Sequence, residues 1–284
     1  MTDPTLWWWA LLCTVSAVNA LAWGRAAWWA RHHAPALPGE ARRAIRWQLL
    51  LSAGYVLGCA YRSAFPVYDV GRQVLVDSWL SSVMMGRSVA TVAELCFAAQ
   101  WALLMHLAAR ANGHRLGLRV AAAVMPMIVT AEICSWHAVL TTSNLGHVIE
   151  ETLWGLCAAA LVLSLVLMWP RCDRALRPPL AAAAAIGVAY VVYMAQVDVP
   201  MYWGRWLAEA QRGHAPLSLA QGVVDASTRW VVSHRWADWQ AEVVWMTLYF
   251  SVAVWLSIGL IRVPARLAAS RATTAAHHPR LTLA

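Results

Sequence analysis

Carboxylates and histidines are concentrated in residues 132–151, EICSWHAVLTTSNLGHVIEE, at the tip of an otherwise apolar hairpin. His147, Glu150 and Glu151 follow the turn TTSNLG at spacings i, i+3 and i+4, so a helix presents them on one side. Imidazole and carboxylate groups that project together form a usable half of a metal site. The alternative is a pair of solvated acids at a helix N-terminus, which the helix dipole also favours.

Two further acids are predicted to lie deep in the membrane. Glu94 comes about 13 residues into an apolar run, hence ~18–20 Å below its outer end, where an acid costs roughly 2.5–3.5 kcal/mol. Arg87 and Thr91 share its helix face, and Glu132 lies at a similar but shallower depth. His137 is five residues beyond Glu132, about 140° round the helix, so the two cannot share one face. We assign Glu94 and Glu132 as the candidate catalytic residues.

The remaining candidates have side chains that could bind a metal or a polar group near the outer surface. In the last apolar run, three such residues recur at i, i+4 and i+8. The candidate metal ligands are His137, His147, Glu150, Glu151, His234, Asp238 and Glu242. The candidate substrate-binding residues are Arg62, Arg87, Asp198, Tyr202 and Arg205.

The composition is that of a multi-pass membrane protein, because 61% of the 284 residues are hydrophobic and only 13% are charged. Apolar runs of spanning length predict an all-α, seven-helix transmembrane bundle in residues 1–262. The predicted spans are 6–30, 46–64, 81–109, 119–140, 147–169, 179–199 and 239–261. Lys is absent, which excludes a retinal Schiff base and with it a microbial rhodopsin.

Basic residues mark one side of the predicted bundle. The connections 31–46, 110–119 and 170–178 and the tail, taken with Arg25, hold 15 Arg and 2 acids. The positive-inside rule therefore predicts an outer N-terminus and a cytoplasmic C-terminus in a bacterial-type inner membrane. The other 12 acids lie in the outer connections or within spans, and this excess calls for an explanation of its own.

The outer connections 65–80 and 200–238 mix Trp, Arg and acids with apolar residues at helical spacing. They predict amphipathic helices lying at the outer interface, with breaks in the second at 213–216 and at Gly222. Residues 263–284 have no spanning run and predict a disordered cytoplasmic tail. The six Cys lie mostly in apolar runs without CxxC spacing, which argues against disulfides and against a Cys-rich zinc module.

Three functions remain open from the sequence. The first is a membrane enzyme whose site opens to the outer face and acts on a lipid or other apolar small molecule. It would use zinc, a di-iron or di-manganese centre, or a metal-free pair of a protonated Glu and a carboxylate base. The second is a binding protein, namely a receptor, a carrier or a proton-coupled transporter. The third is a structural subunit of an oligomer or a membrane complex, whose outer amphipathic segments dock a partner. Separately from these functions, much of the outer charge is explained by Arg–carboxylate pairs that tie the outer loops down onto the bundle. There is no nucleic-acid signature.

Overall fold

The computed structural model describes residues 3–277, and within them the chain forms eleven α-helices and three short strands. The helices are α1 (Pro4–His33), α2 (Gly39–Ala64), α3 (Val83–Ala111), α4 (Arg115–Thr141), α5 (Leu145–Met168), α6 (Arg177–Tyr193), α7 (Val199–Gln211), α8 (Leu219–Thr228), α9 (Trp236–Leu248), α10 (Val254–Leu260) and α11 (Val263–His277). The strands are β1 (Val67–Tyr68), β2 (Gln73–Val74) and β3 (Val231–Val232). Single turns of 3₁₀-helix lie at Ala34–Ala36, Trp79–Ser81, Trp169–Arg171 and Arg174–Leu176.

Two helices are interrupted by π-helical turns rather than by breaks. Met194–Asp198 joins α6 to α7, and Tyr249–Ala253 joins α9 to α10. We call the continuous stretch from α9 through α10 the last helix. The side chain of Asn19 on α1 donates a 2.8 Å hydrogen bond to the carbonyl of Phe250, inside the second turn. A π-helical turn displaces backbone carbonyls from the α-helical pattern, so this buried amide compensates for the irregularity.

Six of the helical stretches in the described residues are long and apolar enough to cross a membrane. They are Pro4–Ala36, Val83–Ala111, Arg115–Thr141, Leu145–Arg171, Arg177–Gln211 and Trp236–Ser270. Each meets the requirement of about 20 mostly apolar residues. The chain is therefore a helical protein suited to crossing a membrane several times.

Helix α2 is the predicted span that differs from these six. Its 26 residues would cover ~39 Å, which is long enough to cross, but polar side chains lower its hydropathy. Two of them, Gln48 and Ser52, are buried against α3 and the last helix. Gln100 donates to Gln48 Oε1 at 2.8 Å, Ser257 donates to Gln100 Oε1 at 2.6 Å, and the hydroxyls of Ser257 and Ser52 lie 3.0 Å apart. Such bonds between membrane helices are worth about 0.6 kcal/mol each, so the polarity of α2 stabilises helix packing.

The helices pack mainly as sequential neighbours from α1 to α6, and the last helix returns to α1 and α2. One apolar core lies where α1, α2, α3 and the last helix meet, around Trp8, Tyr55, Trp239 and Phe250. Helix α6 packs along α5 and has no buried residue. The bundle is therefore tightly closed on one side and loosely closed between α6 and the last helix.

The α4–α5 hairpin is close because of one glycine. A Cβ at Gly146 would lie 2.3 Å from the carbonyl oxygen of Cys134, so a side chain here would push the helices apart. Thr142 ends α4 in the left-handed conformation, with φ 59°. This tight turn places the first turn of α5, with His147 and Glu150, directly beside the end of α4.

The prediction of an amphipathic helix over 65–80 is wrong. The segment forms the antiparallel strands β1 and β2, and β2 continues in parallel pairing to β3. Arg72, fully buried and at φ 55°, turns the chain between β1 and β2. Its guanidinium bonds Asp225 at 2.9 Å and the carbonyls of Asp69 and Val139 at 2.7 and 2.8 Å. The buried guanidinium of Arg72 holds these backbone carbonyls in place and thereby stabilises an extended loop. The spacing of apolar residues in the sequence does not reveal such contacts.

The outer connection 200–238 agrees with the prediction only in part. Helices α7 and α8 are present, and the break at 213–216 is confirmed by a loop in which Gly213 has φ 64°. The break predicted at Gly222 is wrong, because Gly222 lies inside α8. A Cβ there would be 2.0 Å from the carbonyl oxygen of Leu140, so this glycine permits close packing of α8 on α4. Helix α7 also continues α6 through the π-helical turn instead of starting a separate interfacial helix.

The predicted Arg–carboxylate network in the outer loops is present. Arg229 bonds Asp225 alongside Arg72, and Trp230 donates to Asp77 at 2.9 Å. Burial raises the pKa of Asp225, but hydrogen bonds from the two guanidinium groups outweigh it and leave this pKa below its usual value. These contacts hold the outer layer together.

The prediction of a disordered tail over 263–284 does not match its first part. Residues Val263–His277 form α11, which packs against α2 and α3, and Leu267 is buried in one apolar cluster with Met105 and Met168. Residues 278–284 lie outside the described part of the chain.

Candidate functional site

A single arginine joins three buried glutamates in the middle of the bundle. Nη2 of Arg87 donates to Glu94 Oε2 at 3.0 Å, to Glu132 Oε2 at 2.7 Å and to Glu150 Oε1 at 2.9 Å. All four side chains are less than a tenth exposed. We call these four residues the Arg87 cluster. Buried carboxylates need such a partner, since an unpaired charge in low dielectric is strongly unfavourable.

Three helices bring the Arg87 cluster together. Arg87, Thr91 and Glu94 lie at i, i+4 and i+7 on one face of α3, as the sequence predicts. Glu132 comes from α4, and Glu150 comes from the start of α5. Thr91 donates to Glu132 Oε2 at 2.7 Å. The hydroxyl of Thr91 in turn accepts from Trp136 at 3.0 Å, so the carboxylate of Glu132 is held from both helices.

Two further side chains extend the Arg87 cluster. Nδ1 of His147 lies 2.8 Å from Glu150 Oε2, and the His147 ring packs 4.9 Å from the ring of Tyr202. The hydroxyl of Tyr249 donates to Glu94 Oε1 at 3.0 Å. A carboxylate on Nδ1 fixes the neutral tautomer of a histidine and leaves Nε2 to accept a proton. Among the described residues Nε2 of His147 has no hydrogen-bond partner, so this nitrogen is free for chemistry.

A cavity of about 470 Å³ begins at the Arg87 cluster and continues into the apolar part of the bundle. Its head is lined by polar groups that include Glu94, His147 and Glu150. Its tail is lined by apolar side chains of α3, α4, α5, α6 and the last helix: Phe97, Trp101, Ile128, Trp154, Leu161 and Leu256. Along α5 the lining runs from His147 to Leu165, which is ~27 Å at 1.5 Å per residue. The shape is that of a site for an elongated molecule with one polar end.

A second group of acids lines the same head. Glu151, Asp198 and Glu242 come from α5, from the first π-helical turn and from α9. Glu242 lies 3.6 Å from Arg205, whose guanidinium also sits 5.3 Å from the ring of Tyr202. Oδ1 of Asp198 is buried and has no hydrogen-bond partner within the described residues. This group is less closely paired than the Arg87 cluster, because its one ion-pair contact among the described residues, from Arg205, reaches only Glu242.

The structure separates the predicted metal ligands. Glu150, Glu151, His147 and Glu242 line the cavity, whereas His137 lies on the exposed face of α4. His234 and Asp238 are not among the residues that line the cavity. His234 precedes α9, which begins at Trp236, so it does not share a helix face with Glu242, whereas Asp238 lies in α9 one turn before Glu242. His234 is exposed, and its Nε2 lies 2.9 Å from the carbonyl oxygen of Leu75. Asp238 accepts from Ser233 at 2.5 Å and lies 3.9 Å from Arg235.

The two predicted catalytic glutamates meet at Arg87 but differ in access. Glu94 lines the cavity, whereas Glu132 is not among its lining residues and faces the helix interface behind Arg87. The predicted substrate-binding residues Arg62, Asp198 and Tyr202 line the head, and Arg205 contacts it through Glu242. Tyr249 was not predicted. It lies seven residues after Glu242, on the same face of the last helix, so extending that face by two turns would have found it.

Three carboxylates of the Arg87 cluster offer the nearest arrangement to a metal site. One oxygen each of Glu94, Glu132 and Glu150 lie within 4.8 Å of one another. Nη2 of Arg87 already bonds an oxygen of all three and takes the place of a cation between them. A metal ion could use these oxygens only if the guanidinium moved away, because two positive charges would otherwise meet in a low dielectric.

Comparisons of the chain with protein-family models, with curated proteins and with solved structures found no match. The interpretation of the site therefore depends on its own geometry.

Proposed function

We propose that the chain is a membrane-embedded acid–base enzyme that moves a proton on an elongated lipid or other apolar small molecule. The observation that carries this proposal is the cavity, which combines an apolar tail with a head lined by the carboxyl group of Glu94 and by the imidazole of His147, which contacts Glu150. Glu94 and the pair of His147 and Glu150 both line that head and both contact Arg87. Isomerisation or cyclisation of an isoprenoid-like chain is the type of reaction that needs such a pair.

In this mechanism His147 is the base. Its Nδ1–H is held by Glu150, so Nε2 accepts a proton from the substrate, and Glu150 stabilises the resulting imidazolium. Glu94 is the acid: in its protonated form it delivers a proton to the other end of the reacting group, and proton exchange with water then returns His147 to its neutral form and Glu94 to its protonated form. The hydroxyl of Tyr249 hydrogen-bonds Glu94 and fixes the orientation of its carboxyl group. Arg87 and Glu132 position the two reacting groups without touching the substrate.

An apolar substrate is expected to enter from the bilayer. Helix α6 lines the cavity through residues such as Ala183 and Ile186, yet none of its residues is buried. The facing wall comes from Val252 and Leu256 on the last helix. Loose packing between these two walls would let a hydrocarbon chain pass sideways from the lipid.

The topology that belongs to this proposal counts α2 as a seventh span. The N-terminus then lies outside a bacterial-type inner membrane, and the Arg87 cluster opens toward the outer face. The support is the strong excess of Arg in the opposite connections. A reporter fused at the C-terminus should be active only in the cytoplasm; external activity would reverse the sidedness.

A metal-dependent version of the enzyme, with zinc or a di-iron or di-manganese centre, is less well supported. It requires Arg87 to leave the three carboxylates that it now bonds. Its other proposed ligands, His137, His234 and Asp238, lie outside the cavity. A stoichiometric transition metal in the purified protein, lost in Glu94→Gln, would favour this version over the acid–base one.

The decisive experiment uses isotopes, since the substrate is not identified. The purified protein in lipid nanodiscs is incubated with the total lipid extract of its expression host in deuterium oxide, and in a parallel reaction in heavy-oxygen water. Proton transfer predicts a lipid species that gains deuterium and no heavy oxygen, detected by mass spectrometry. Uptake of heavy oxygen would instead indicate a hydrolase.

Three variants complete this experiment. Glu94→Gln and His147→Asn should slow deuterium uptake by about 10²–10⁴-fold while the protein stays folded, which is the usual contribution of general acid–base groups. Asp77→Asn, a matched carboxyl-to-amide change at the exposed contact with Trp230, should leave the rate unchanged. Unchanged masses of all lipids with the wild-type protein would overturn the proposal and favour a binding protein or a structural subunit.

A further inference from the structure

We infer that the molecule held in this cavity is an amphiphile with a protonated amine head, seated against Asp198 and Glu151, and with a hydrocarbon tail. This inference rests on the proposed function in one respect, since it names the class of substrate for the same cavity. It is carried by a buried carboxylate without a partner, by the charge balance of the head and by the aromatic side chains around it.

Asp198 is the clearest sign of a missing partner. The residue is only 4% exposed, it lines the cavity, and its Oδ1 makes no hydrogen bond within the part of the chain that is described. A buried carboxylate oxygen without a donor is unfavourable by the full desolvation of the group. Its position on a π-helical turn is also typical of functional residues. A donor supplied by the ligand would satisfy this oxygen.

Glu151 and Glu242 place two more acids at the same head. No described side chain forms an ion pair with Glu151. Among the described residues Glu242 has one ion-pair contact, with Arg205 at 3.6 Å, which is long for a charge-assisted hydrogen bond. The guanidinium of Arg205 is shared with the rings of Tyr202 and Tyr68, at 5.3 and 5.7 Å. Of the three carboxylates Glu151, Asp198 and Glu242, only Glu242 therefore has an arginine within ion-pair distance among the described residues.

The charge balance of the whole head points the same way. Within the described residues six carboxyl groups line it, and Glu132 lies directly behind Arg87, which makes seven: Asp69, Glu94, Glu132, Glu150, Glu151, Asp198 and Glu242. Three guanidinium groups face them: Arg62, Arg87 and Arg205. Acids therefore exceed arginines by four. In a low dielectric this excess must be neutralised by protons or by a bound cation.

Aromatic rings favour an organic cation as the bound group. Six of them line the head and the start of the tail: Tyr68, Tyr190, Tyr193, Tyr202, Trp245 and Tyr249. The faces of such rings attract ammonium groups, and several rings around one site are typical of amine recognition. A hydrated metal ion would gain little from these rings or from the apolar tail of the cavity.

Arg62 is the feature that opposes the inference. It lines the cavity, its Nε has no hydrogen-bond partner among the described residues, and its nearest aromatic neighbour is the Phe250 ring at 6.0 Å. An anionic head could bind there. The excess of four acids counts Arg62 already, so an anion would add to the surplus charge that a cation relieves.

The test compares three ligands that share one tail and differ in head charge: hexadecylamine, hexadecanol and palmitic acid. Equilibrium binding of each radiolabelled compound to the full chain is measured in nanodiscs of a neutral lipid at pH 7. The amine should bind at least about tenfold more tightly than the alcohol, which corresponds to one charge-assisted contact. Asp198→Asn should remove most of this preference, and Asp238→Asn, outside the cavity, should keep it. Glu151→Gln provides a second variant if Asp198→Asn does not fold.

Each alternative outcome is distinct. Equal binding of the amine and the alcohol would overturn the inference and indicate that protons neutralise the acids. Tighter binding of palmitic acid would overturn it in favour of an anion at Arg62. Amine preference without deuterium uptake by any lipid would support the inference and refute the acid–base enzyme. Deuterium uptake by a neutral lipid without amine preference would do the reverse.

Discussion

Replacing Arg87 with Met should destabilise the protein more than any other change of one surface or buried charge. Met keeps much of the volume and removes the donor that three carboxylates share at 2.7–3.0 Å. Breaking one buried ion pair by removing a partner costs about 3–5 kcal/mol, because the other charge is left uncompensated. We expect a loss in this range, since the freed carboxylates can take up protons and thereby limit the cost.

The structure also predicts a specific non-additivity. Glu132→Gln removes one of the three acceptors of Arg87, so less negative charge is left when the arginine is then removed. The double variant Arg87→Met with Glu132→Gln should therefore lose less stability than the sum of the two single variants, by at least about 1 kcal/mol. Arg110→Met is the matched control, because the Arg110–Glu40 contact at 3.4 Å is exposed and such pairs contribute about 0–1 kcal/mol.

The assay is reversible unfolding of the purified protein in mixed micelles with increasing dodecyl sulfate, followed by circular dichroism. Free energies of unfolding are compared at one micelle composition for the wild type, the single variants and the double variant. Two results would refute the reasoning: a loss below about 1 kcal/mol in Arg87→Met, or single effects that add within about 0.5 kcal/mol. Either would mean that Arg87 does not hold the three carboxylates in the membrane.

Three further predictions concern the scaffold. Gly146→Ala should destabilise the protein, because the new Cβ would lie 2.3 Å from a carbonyl oxygen of α4. The control Gly204→Ala, with open space around the residue, should be neutral or stabilising by up to about 1 kcal/mol. Both free energies of unfolding are measured by the same dodecyl sulfate titration. Asn19→Ala should cost about 1–3 kcal/mol by freeing a buried carbonyl of the π-helical turn in the last helix, and a change below ~0.5 kcal/mol would contradict this. The pKa of Asp225 is lowered by folding, so the bonds of its carboxylate to Arg72 and Arg229 stabilise the protein at neutral pH, and this stabilisation is lost as the pH falls below about 4. The loop at Arg212 should then be cut faster by an acid-active protease.

Much of the fold followed from residue periodicity, and the limits are physical. The shared face of Arg87, Thr91 and Glu94 is correct, because helical geometry alone decides it. The grouping of His147 with Glu150 also agrees with the structure. All of these depend on spacing within one helix, which a sequence states directly.

Contacts between elements could not be read in the same way. The strands of 65–80 depend on Arg72 reaching Asp225, and its sequence distance of 153 residues hides that contact. His234 appeared to continue the face of Asp238 and Glu242 because the start of α9 is not marked by a capping side chain. The continuation of α6 into α7 through a π-helical turn has no sequence signal other than Pro200, which usually indicates an end.

The helix from Arg177 to Gln211 is continuous, so the part of it that forms the side wall of the cavity and the part that lines the polar head must move together. Ile186 lines the apolar tail of the cavity, and the ring of Tyr202 packs against that of His147. The two residues lie on opposite sides of the π-helical turn. At 1.5 Å per residue, a tilt of about 10° at that turn would move the inner end of α6, ~25 Å away, by about 4 Å. Asp198 lies in this π-helical turn. A ligand that binds Asp198 would therefore act at the point about which α6 tilts, and the charge of the ligand's head group would affect the width of the proposed opening to the bilayer.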